Sequence, residues 1–249
     1  MSSDQKYKCF IIHLKRAKKR KAYVDEIISK LNIETEIIEA VDGKLLTKKK
    51  ISQFYSEIPL FQPAYPFKVN KGEIGCFLSF RKAWQNIVDQ NLSGGLIFED
   101  DVSLNIDVFQ NSFDTAMSWI KKHGYIQFQV RNIPKKSKII KVNKDVHLLK
   151  ASPILLRCSA QLVSYSTAKK LLEITEKFDR PVDGLLQLNW ITGVNVTTMR
   201  PSGVFDNTYA SGGSNLSLNI PLALKIKQEF SRIRYRYDIK KYTNIHNKL

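Results

Sequence analysis

Three cysteines, Cys9, Cys76 and Cys158, are all that this chain of 249 residues carries, odd in number and far apart. There is no CxxC and no Cys/His cluster. That excludes a disulfide framework and a zinc site as readings of the sequence, and it fits a reducing cytoplasm. No run of about 18 apolar residues occurs, so no membrane-spanning helix is expected. The opening "MSSDQKYKCFIIHLK" has no long apolar core, so no signal peptide is expected either. Repeats and low-complexity segments are also lacking. Acidic side chains are scarce, 23 against 40 Lys and Arg, which leaves a net charge of +17. Such a field attracts polyanions: nucleic acid, anionic lipid or phosphorylated small molecules.

What is present can fill a core. Hydrophobic residues make up 43% of the chain and aromatics 10%, enough for one large α/β domain. "KCFIIHL" (8 to 14) reads as a buried strand, and Val24, Ile27, Ile28 and Leu31 mark a helix over 17 to 31. "TEIIEA" (35 to 40) is a second strand, which completes a β-α-β opening and points to a parallel sheet. Residues 58 to 69, rich in proline and aromatics, read as a loop; a helix follows from Glu73 through Trp84 and Val88. "GGLIFED" is a strand, 107 to 120 a helix, "YIQFQV" a strand, "KKSKIIKVNKDVHLLK" a hairpin, and "AQLVSY" a strand leading into a helix at Ala168 to Thr175. The expected division is one α/β domain over residues 1–220 and a basic amphipathic tail over 221–249.

The strand "GGLIFEDDVSLN" ends in three adjacent carboxylates, Glu99, Asp100 and Asp101. Like charges this close repel, and a buried carboxylate is costly without a cation. In open α/β sheets the C-terminal strand edge is where ligands bind. Alternation sends Glu99 and Asp101 to one side and Asp100 to the other. Two carboxylates on one side invite a hard divalent ion, Mg²⁺ or Mn²⁺, which keeps waters and takes phosphate oxygens as further ligands. Acidic pairs after strands also serve as helix caps and turn formers.

Five segments then occur in order: "FIIHLKRAKKRKAYVDEIISKL", "IEAVDGKLL", "KGEIGCFLSFRKAW", "GGLIFEDDVSL" and "AQLVSYSTAKKLLE" with "RPVDGLLQ". Over residues 7 to 205 they resemble glycosyltransferase family 25, the bacterial lipopolysaccharide and lipooligosaccharide galactosyltransferases. The resemblance implies a GT-A-like (Rossmann-like) fold, with a mostly parallel sheet flanked by helices. It implies inverting transfer of a sugar, typically galactose, from a UDP-sugar, with a divalent metal at Glu99-Asp100-Asp101. One departure stands out. The family commonly has histidine where this chain has Phe80, in "GCFLSF". That leaves three readings: a non-chemical role for the histidine, a different donor or acceptor, or reduced activity.

Within that reading, roles follow from physical need. The leaving diphosphate needs a Lewis acid. Asp101 is the first choice of metal ligand, with Glu99 facing ribose or a metal-bound water and Asp100 serving the metal or the acceptor side. The base must reach the opposite face of the sugar. Asp183, expected in a loop between Pro181 and Gly184, is the best candidate; the competing reading is a helix N-cap for "GLLQLNW". Nucleotide contacts are expected at the exit of the first strand, from His13, Leu14 and Arg16, with Arg20 either on phosphate or in a solvated helix start. Asp42 and Gly43 end the second strand, where Asp42 meets uracil or ribose or is a turn residue. Glu73 is a cofactor-side candidate or an N-terminal helix charge. The polar stretch 201 to 216, with Asp206, Asn207 and Ser214, closes over the donor or is a linker.

The last 25 residues hold eight basic and two acidic side chains interleaved with aromatics. Ile226, Phe230, Ile233 and Tyr237 fall on one helical face, with Arg234, Lys240 and Lys241 among the cations around it. Such a helix suits an anionic membrane surface; the competing reading is that the same apolar face packs onto the catalytic domain. The expected partners are therefore a UDP-sugar, a lipid-linked oligosaccharide acceptor and the inner face of the cytoplasmic membrane, where the protein is expected as a peripheral, cytoplasmic enzyme. No nucleic-acid-binding pattern accompanies the charge, and none is expected as partner. The competing classes are a catalytically degenerate relative and a basic nucleic-acid-binding protein.

Overall fold

The computed structural model describes residues 6–208 and 222–246, with the side chains of the last helix from 228 onward. Ser214 and the side chain of Ile226 lie outside the described residues.

The chain opens β1 (Tyr7–His13), α1 (Lys21–Lys30), β2 (Thr35–Glu39) and α2 (Lys48–Phe54). It continues with α3 (Lys71–Asp89), β3 (Gly94–Glu99), a short β4 (Val102–Leu104) and α4 (Ile106–His123). Then come β5 (Tyr125–Phe128), the hairpin β6 (Lys138–Asn143) and β7 (Val146–Lys150), β8 (Ala160–Ser164) and α5 (Tyr165–Ile174). Two short helices, α6 (Val182–Leu186) and α7 (Asn189–Thr192), precede β9 (Val196–Arg200) and β10 (Val204–Asp206); α8 (Leu222–His246) is last.

Eight strands form one sheet in the order β2-β1-β3-β8-β5-β9-β7-β6, and β10 pairs with β4 beside it. β8 and β7 run against the other six strands. The expected α/β fold with a mostly parallel sheet is what the chain adopts. The central strands are apolar on both faces because helices cover both. Alternation along β1 and β3 splits their side chains. Phe10, Ile12 and Ile97 enter a core with Phe77, Trp84 and Leu171 from α3 and α5. Cys9, Ile11, Leu96 and Phe98 enter a second core with Val24, Ile27 and Phe109 from α1 and α4.

Caps fix where the helices begin. Asn70 and Glu73 form a reciprocal capping box at the start of α3, which satisfies two otherwise orphaned N–H groups. Residues 18–20 make a 3-10 turn, so α1 starts later than the periodicity suggests.

α8 does not use the face the sequence singled out to meet the body. Tyr235 and Ile239 are buried against Leu188, Phe61, Tyr65 and Trp190. Phe230, Ile233 and Tyr237 remain 69%, 55% and 66% exposed. The docking side is aromatic and partly polar, which apolar periodicity alone does not register.

Candidate functional site

β2, β1 and β3 lie side by side and parallel, with His13 opposite Glu39 and Ile12 opposite Glu99. Their C-terminal ends therefore share one edge of the sheet. Asp100 leaves β3 there and turns back onto the exit of β1. His13 Nδ1 lies 2.8 Å from Asp100 Oδ2, the Leu14 N–H donates to the same oxygen at 3.1 Å, and Arg20 Nη1 donates to Oδ1 at 2.9 Å. Arg20 also stands 3.3 Å from Asp101 Oδ2. This guanidinium is the cation that the structure sets against Asp100 and Asp101. It reaches the triplet because the turn at 18–20 lifts it over the strand ends. Arg20 is thus not merely a solvated helix start.

These bonds reassign Asp100. Its carboxylate is buried and both oxygens are engaged, so it holds the β1 exit. His13 and Leu14 are likewise committed to holding it.

Asp101 faces a different neighbourhood. The Thr208 hydroxyl donates to Asp101 Oδ2 at 3.1 Å, and the Asn207 N–H donates to the Asp101 carbonyl at 2.8 Å. β10 thereby folds the 206–208 segment over the triplet, with Asp206 in register opposite Val102. Burial first, then Asp100 and Asp206, raise the Asp101 carboxyl pKa, despite Arg20 and Thr208. Burial and then Asp101 push Glu99 up to about 8, against the pull of Arg157. Two buried carboxylates whose pKa values both stand high are short of positive charge. That charge deficit and their hard oxygen donors fit a divalent cation. Among the described residues no three His, Cys, Asp or Glu side chains converge on one point. Such an ion would complete its shell with water and phosphate oxygens.

Asp183 approaches from another part of the chain. It sits in the first turn of α6, whose N-cap is Pro181, so it is neither a loop residue nor the cap itself. Its Oδ1 accepts from the Gly184 N–H at 2.8 Å and its Oδ2 from the Arg157 N–H at 3.1 Å. Arg157 has φ +90°, a strained conformation for a residue with a side chain. It is held there by β5 and the residue just past it, where the Gln127 and Gln129 side-chain amides donate to the carbonyls of Leu155, Leu156 and Arg157. From this position the Arg157 guanidinium lies 3.2 Å from Asp206 and also acts on Glu99. It links the two acidic groups, and neither spacing nor composition marks it in the sequence.

Glu73, Glu99, Asp101 and Asp183 all act on the Cys76 thiol, whose pKa burial and these charges drive upward. Cys76 Sγ is 3.9 Å from Glu99 Oε1. Four carboxylates from α3, the β3 edge and α6 therefore surround one region. Beside it opens a cavity of about 450 Å³ lined by Glu73, Asp183, Tyr65, Leu156 and the α8 side chains Arg232 and Tyr235. Burial and the neighbouring Asp183 raise the Glu73 pKa.

The remaining candidates hold local structure. Arg16 Nε donates to Asp42 Oδ2 at 2.6 Å, and Asp42 also caps the turn at 43–45 through the Lys44 N–H. A Cβ on Gly43 would fall 2.0 Å from the Lys71 carbonyl oxygen, and one on Gly75 2.5 Å from the Val41 carbonyl oxygen. Both glycines are needed for the β2 exit to lie against α3. Phe80 is buried beside Trp84 in the core, ring centroids 6.4 Å apart.

Residues 6–186 match the family described as "Glycosyltransferase family 25 (LPS biosynthesis protein)". Procollagen galactosyltransferase 2 of Mus musculus is 38% identical over 95 residues, covering 37% of this chain and 15% of that protein. Procollagen galactosyltransferase 1 of Danio rerio is 26% identical over 181 residues, 67% of this chain and 30% of that protein. The "Inactive glycosyltransferase 25 family member 3" of Mus musculus is 31% identical over 110 residues, 43% of this chain and 18% of that protein. The chain spans less than a third of the length of these curated relatives. Among solved structures, a Drosophila β-1,4-galactosyltransferase 7 mutant in complex with manganese, UDP-Gal and xylobiose is 10% identical. It aligns over 92% of this chain and 79% of its own, with a TM-score of 0.45.

Proposed function

The chain belongs to glycosyltransferase family 25, and on that premise we propose that it is an inverting transferase moving a sugar, galactose by family analogy, from a UDP-sugar to a glycan hydroxyl. The observation that carries this reading is the buried pair Glu99 and Asp101 at the C-terminal edge of β3, both with raised pKa, with Asp183 of α6 acting on Glu99. The fold supplies the family's GT-A-like frame for that pair.

The chemistry is a single displacement. The acceptor oxygen forms a bond to the anomeric carbon while the bond from that carbon to the β-side phosphate oxygen of UDP breaks. The acceptor proton goes to Asp183, and UDP leaves with the bonding electron pair. Asp183 is suited to this because two backbone N–H groups fix its orientation before substrate arrives. A bound Mn²⁺ or Mg²⁺, held by Asp101 and Glu99, would offset the charge that develops on the departing diphosphate. Arg157 stands where it can share that charge, and the 206–208 segment shields the region from water. Asp100, His13, Leu14 and Arg20 keep the β1 exit rigid around the nucleotide, which Arg16 and Asp42 flank.

The acceptor class is a lipid-linked oligosaccharide of the lipooligosaccharide or lipopolysaccharide type, handled at the inner face of the cytoplasmic membrane. No helix among the described residues is long and apolar enough to cross a membrane, and the exposed Phe230-Ile233-Tyr237 face of α8 supports a peripheral attachment instead. A non-catalytic role is the second reading, favoured by the relative named as inactive.

UDP release from UDP-galactose, with Mn²⁺ and then with excess chelator, tests the proposal. Chelator-sensitive release supports it. Absence of release with every UDP-sugar and acceptor would favour the second reading.

A further inference from the structure

The cavity beside Asp183 has a cationic wall that the displacement as derived does not need. Arg232, Arg236 and Lys240 of α8 all line it. They are four residues apart, about one turn each, so they form a single stripe down the helix. Arg131 joins them from the opposite rim. Arg232 is partly committed, paired with Glu229 and lying 5.5 Å over the Phe67 ring. Among the described residues Arg236 and Lys240 make no ion pair and no side-chain hydrogen bond.

The helix that carries the stripe is held in place, while the Arg236 and Lys240 side chains are exposed. Arg180 Nη1 donates to the Tyr235 hydroxyl at 3.0 Å, and the rings of Tyr65 and Tyr235 meet edge to face at 5.5 Å. Trp190 stacks on Tyr242 and His246, about two and three turns beyond Tyr235. Cations crowded along one helix edge repel one another. Gathering them beside one cavity, whose lining also includes the Glu73 and Asp183 carboxylates, is stabilised when an anion lies between the cations. Of the donor-side candidates only Glu73 lines this cavity; His13, Arg16, Asp42, Glu99 and Asp101 do not, which sets it apart from the strand-edge pair expected to face the diphosphate.

We infer that the cavity is the acceptor subsite and that the acceptor carries an anionic group, a phosphate or a sugar-acid carboxylate. Arg236 and Lys240 take that group while a hydroxyl of the same glycan reaches Asp183. This inference rests on the transferase reading for the role of Asp183. Guanidinium suits both anions, since its planar fork matches phosphate and carboxylate alike. Tyr65 and Phe67 supply ring faces for the sugar, and a volume of about 450 Å³ is in the range of small-molecule sites. The tail helix thereby becomes part of substrate recognition and not only an appendage.

Ligand-observed NMR titration of the full chain with glucose, glucose 6-phosphate and glucuronate tests this, with and without UDP. We expect at least one charged sugar to bind tenfold or more tightly than glucose, and the two charged arms to tell phosphate from carboxylate. Arg236→Gln with Lys240→Gln should erase the preference while leaving the melting temperature unchanged. Lys48→Gln with Lys49→Gln, the same charge removed from the exposed start of α2, should preserve it. Equal binding of neutral and charged sugars, a preference that survives the α8 substitutions, or displacement of glucose 6-phosphate by UDP would each overturn the subsite. A charged-sugar preference in a protein that turns over no UDP-sugar would support the subsite and sink the transferase reading.

Discussion

The hydroxyl of Tyr235 accepts from the buried guanidinium of Arg180 at 3.0 Å, and this contact ties the C-terminal helix to the segment that carries Asp183. Arg180 is fully buried. It also donates to the Phe61 and Pro63 carbonyls and to Asp179, which in turn accepts from the Leu60 and Phe61 N–H groups. One arginine therefore organises the 60–63 loop, the start of α6 and α8 together.

Tyr235→Phe removes only the hydroxyl from this network. It should cost about 1 kcal/mol of stability, the ordinary net worth of one hydrogen bond. Arg180→Met leaves Asp179 without its cation and should cost about 3–5 kcal/mol. Urea denaturation of both variants decides it. Equal small losses would mean that the guanidinium is not the organising group. Because α8 lines the cavity beside Asp183, deleting residues 225 to 249 should also lower transfer to a short soluble acceptor, contrary to a tail that serves only as an anchor.

Glu73 offers a pH test with a clean substitution. Both capping bonds from Asn70 land on one oxygen, Oε2, at 2.8 and 2.7 Å. Glutamine keeps such an oxygen and drops the charge. Burial and then Asp183 raise the Glu73 pKa above its unfolded value. A carboxyl raised in this way holds a proton longer in the folded state. Its unfavourable contribution is absent below the unfolded pKa, grows as pH rises to the folded pKa, and is constant above it. Glu73→Gln should match the wild type at low pH and exceed it above that window, by no more than about 1 kcal/mol for a partly exposed group. Denaturation midpoints that run parallel across pH 4 to 9 would contradict the assignment.

Much of this arrangement is legible in the sequence and some of it is not, for physical reasons. The β-α-β opening, the α3 helix and the β3 strand announce themselves because apolar side chains must recur at the period of the element that buries them. The acidic triplet is visible because three carboxylates after an apolar run demand compensation. Which cation answers them is not visible: Arg20 lies 80 residues from Asp100 in sequence and meets it only through the parallel pairing of β1 with β3. Arg157 is hidden for the same reason, and its φ of +90° has no signature in an arginine. The docking face of α8 is hidden because Tyr235, Tyr242 and His246 pack as rings and polar tips.

The acidic cluster predicts two different kinetic defects. Asp101→Ala should abolish turnover while the fold persists, because the diphosphate loses its counter-charge partner. Asp183→Asn keeps the acceptor for the Arg157 N–H and removes the base, so kcat should fall by about 10²–10⁴-fold with UDP affinity intact. Calorimetry with UDP and Mn²⁺ beside steady-state rates separates them. Near-normal rates in either variant at saturating donor would remove that residue from the chemistry.

The last prediction concerns the face of α8 that the body leaves uncovered. Phe230, Ile233 and Tyr237 are 69%, 55% and 66% exposed. They fall at spacings of three and four, on one stripe, and the exposed Arg234 and Lys241 flank it. An apolar stripe edged with cations is the pattern of a helix that lies in a membrane interface. Each basic residue near an anionic surface contributes about 1 kcal/mol, and salt reduces this. The stripe touches no core, so Phe230→Ser, Ile233→Ser and Tyr237→Ser together should leave stability and transfer to a soluble acceptor within experimental scatter. The same triple substitution should lower sedimentation with phosphatidylglycerol-containing vesicles about tenfold. Raising the salt concentration should weaken wild-type binding in parallel. Should the triple variant still sediment as fully as the wild type, the stripe does not hold the protein at the bilayer, and the net charge of +17 alone accounts for the attraction.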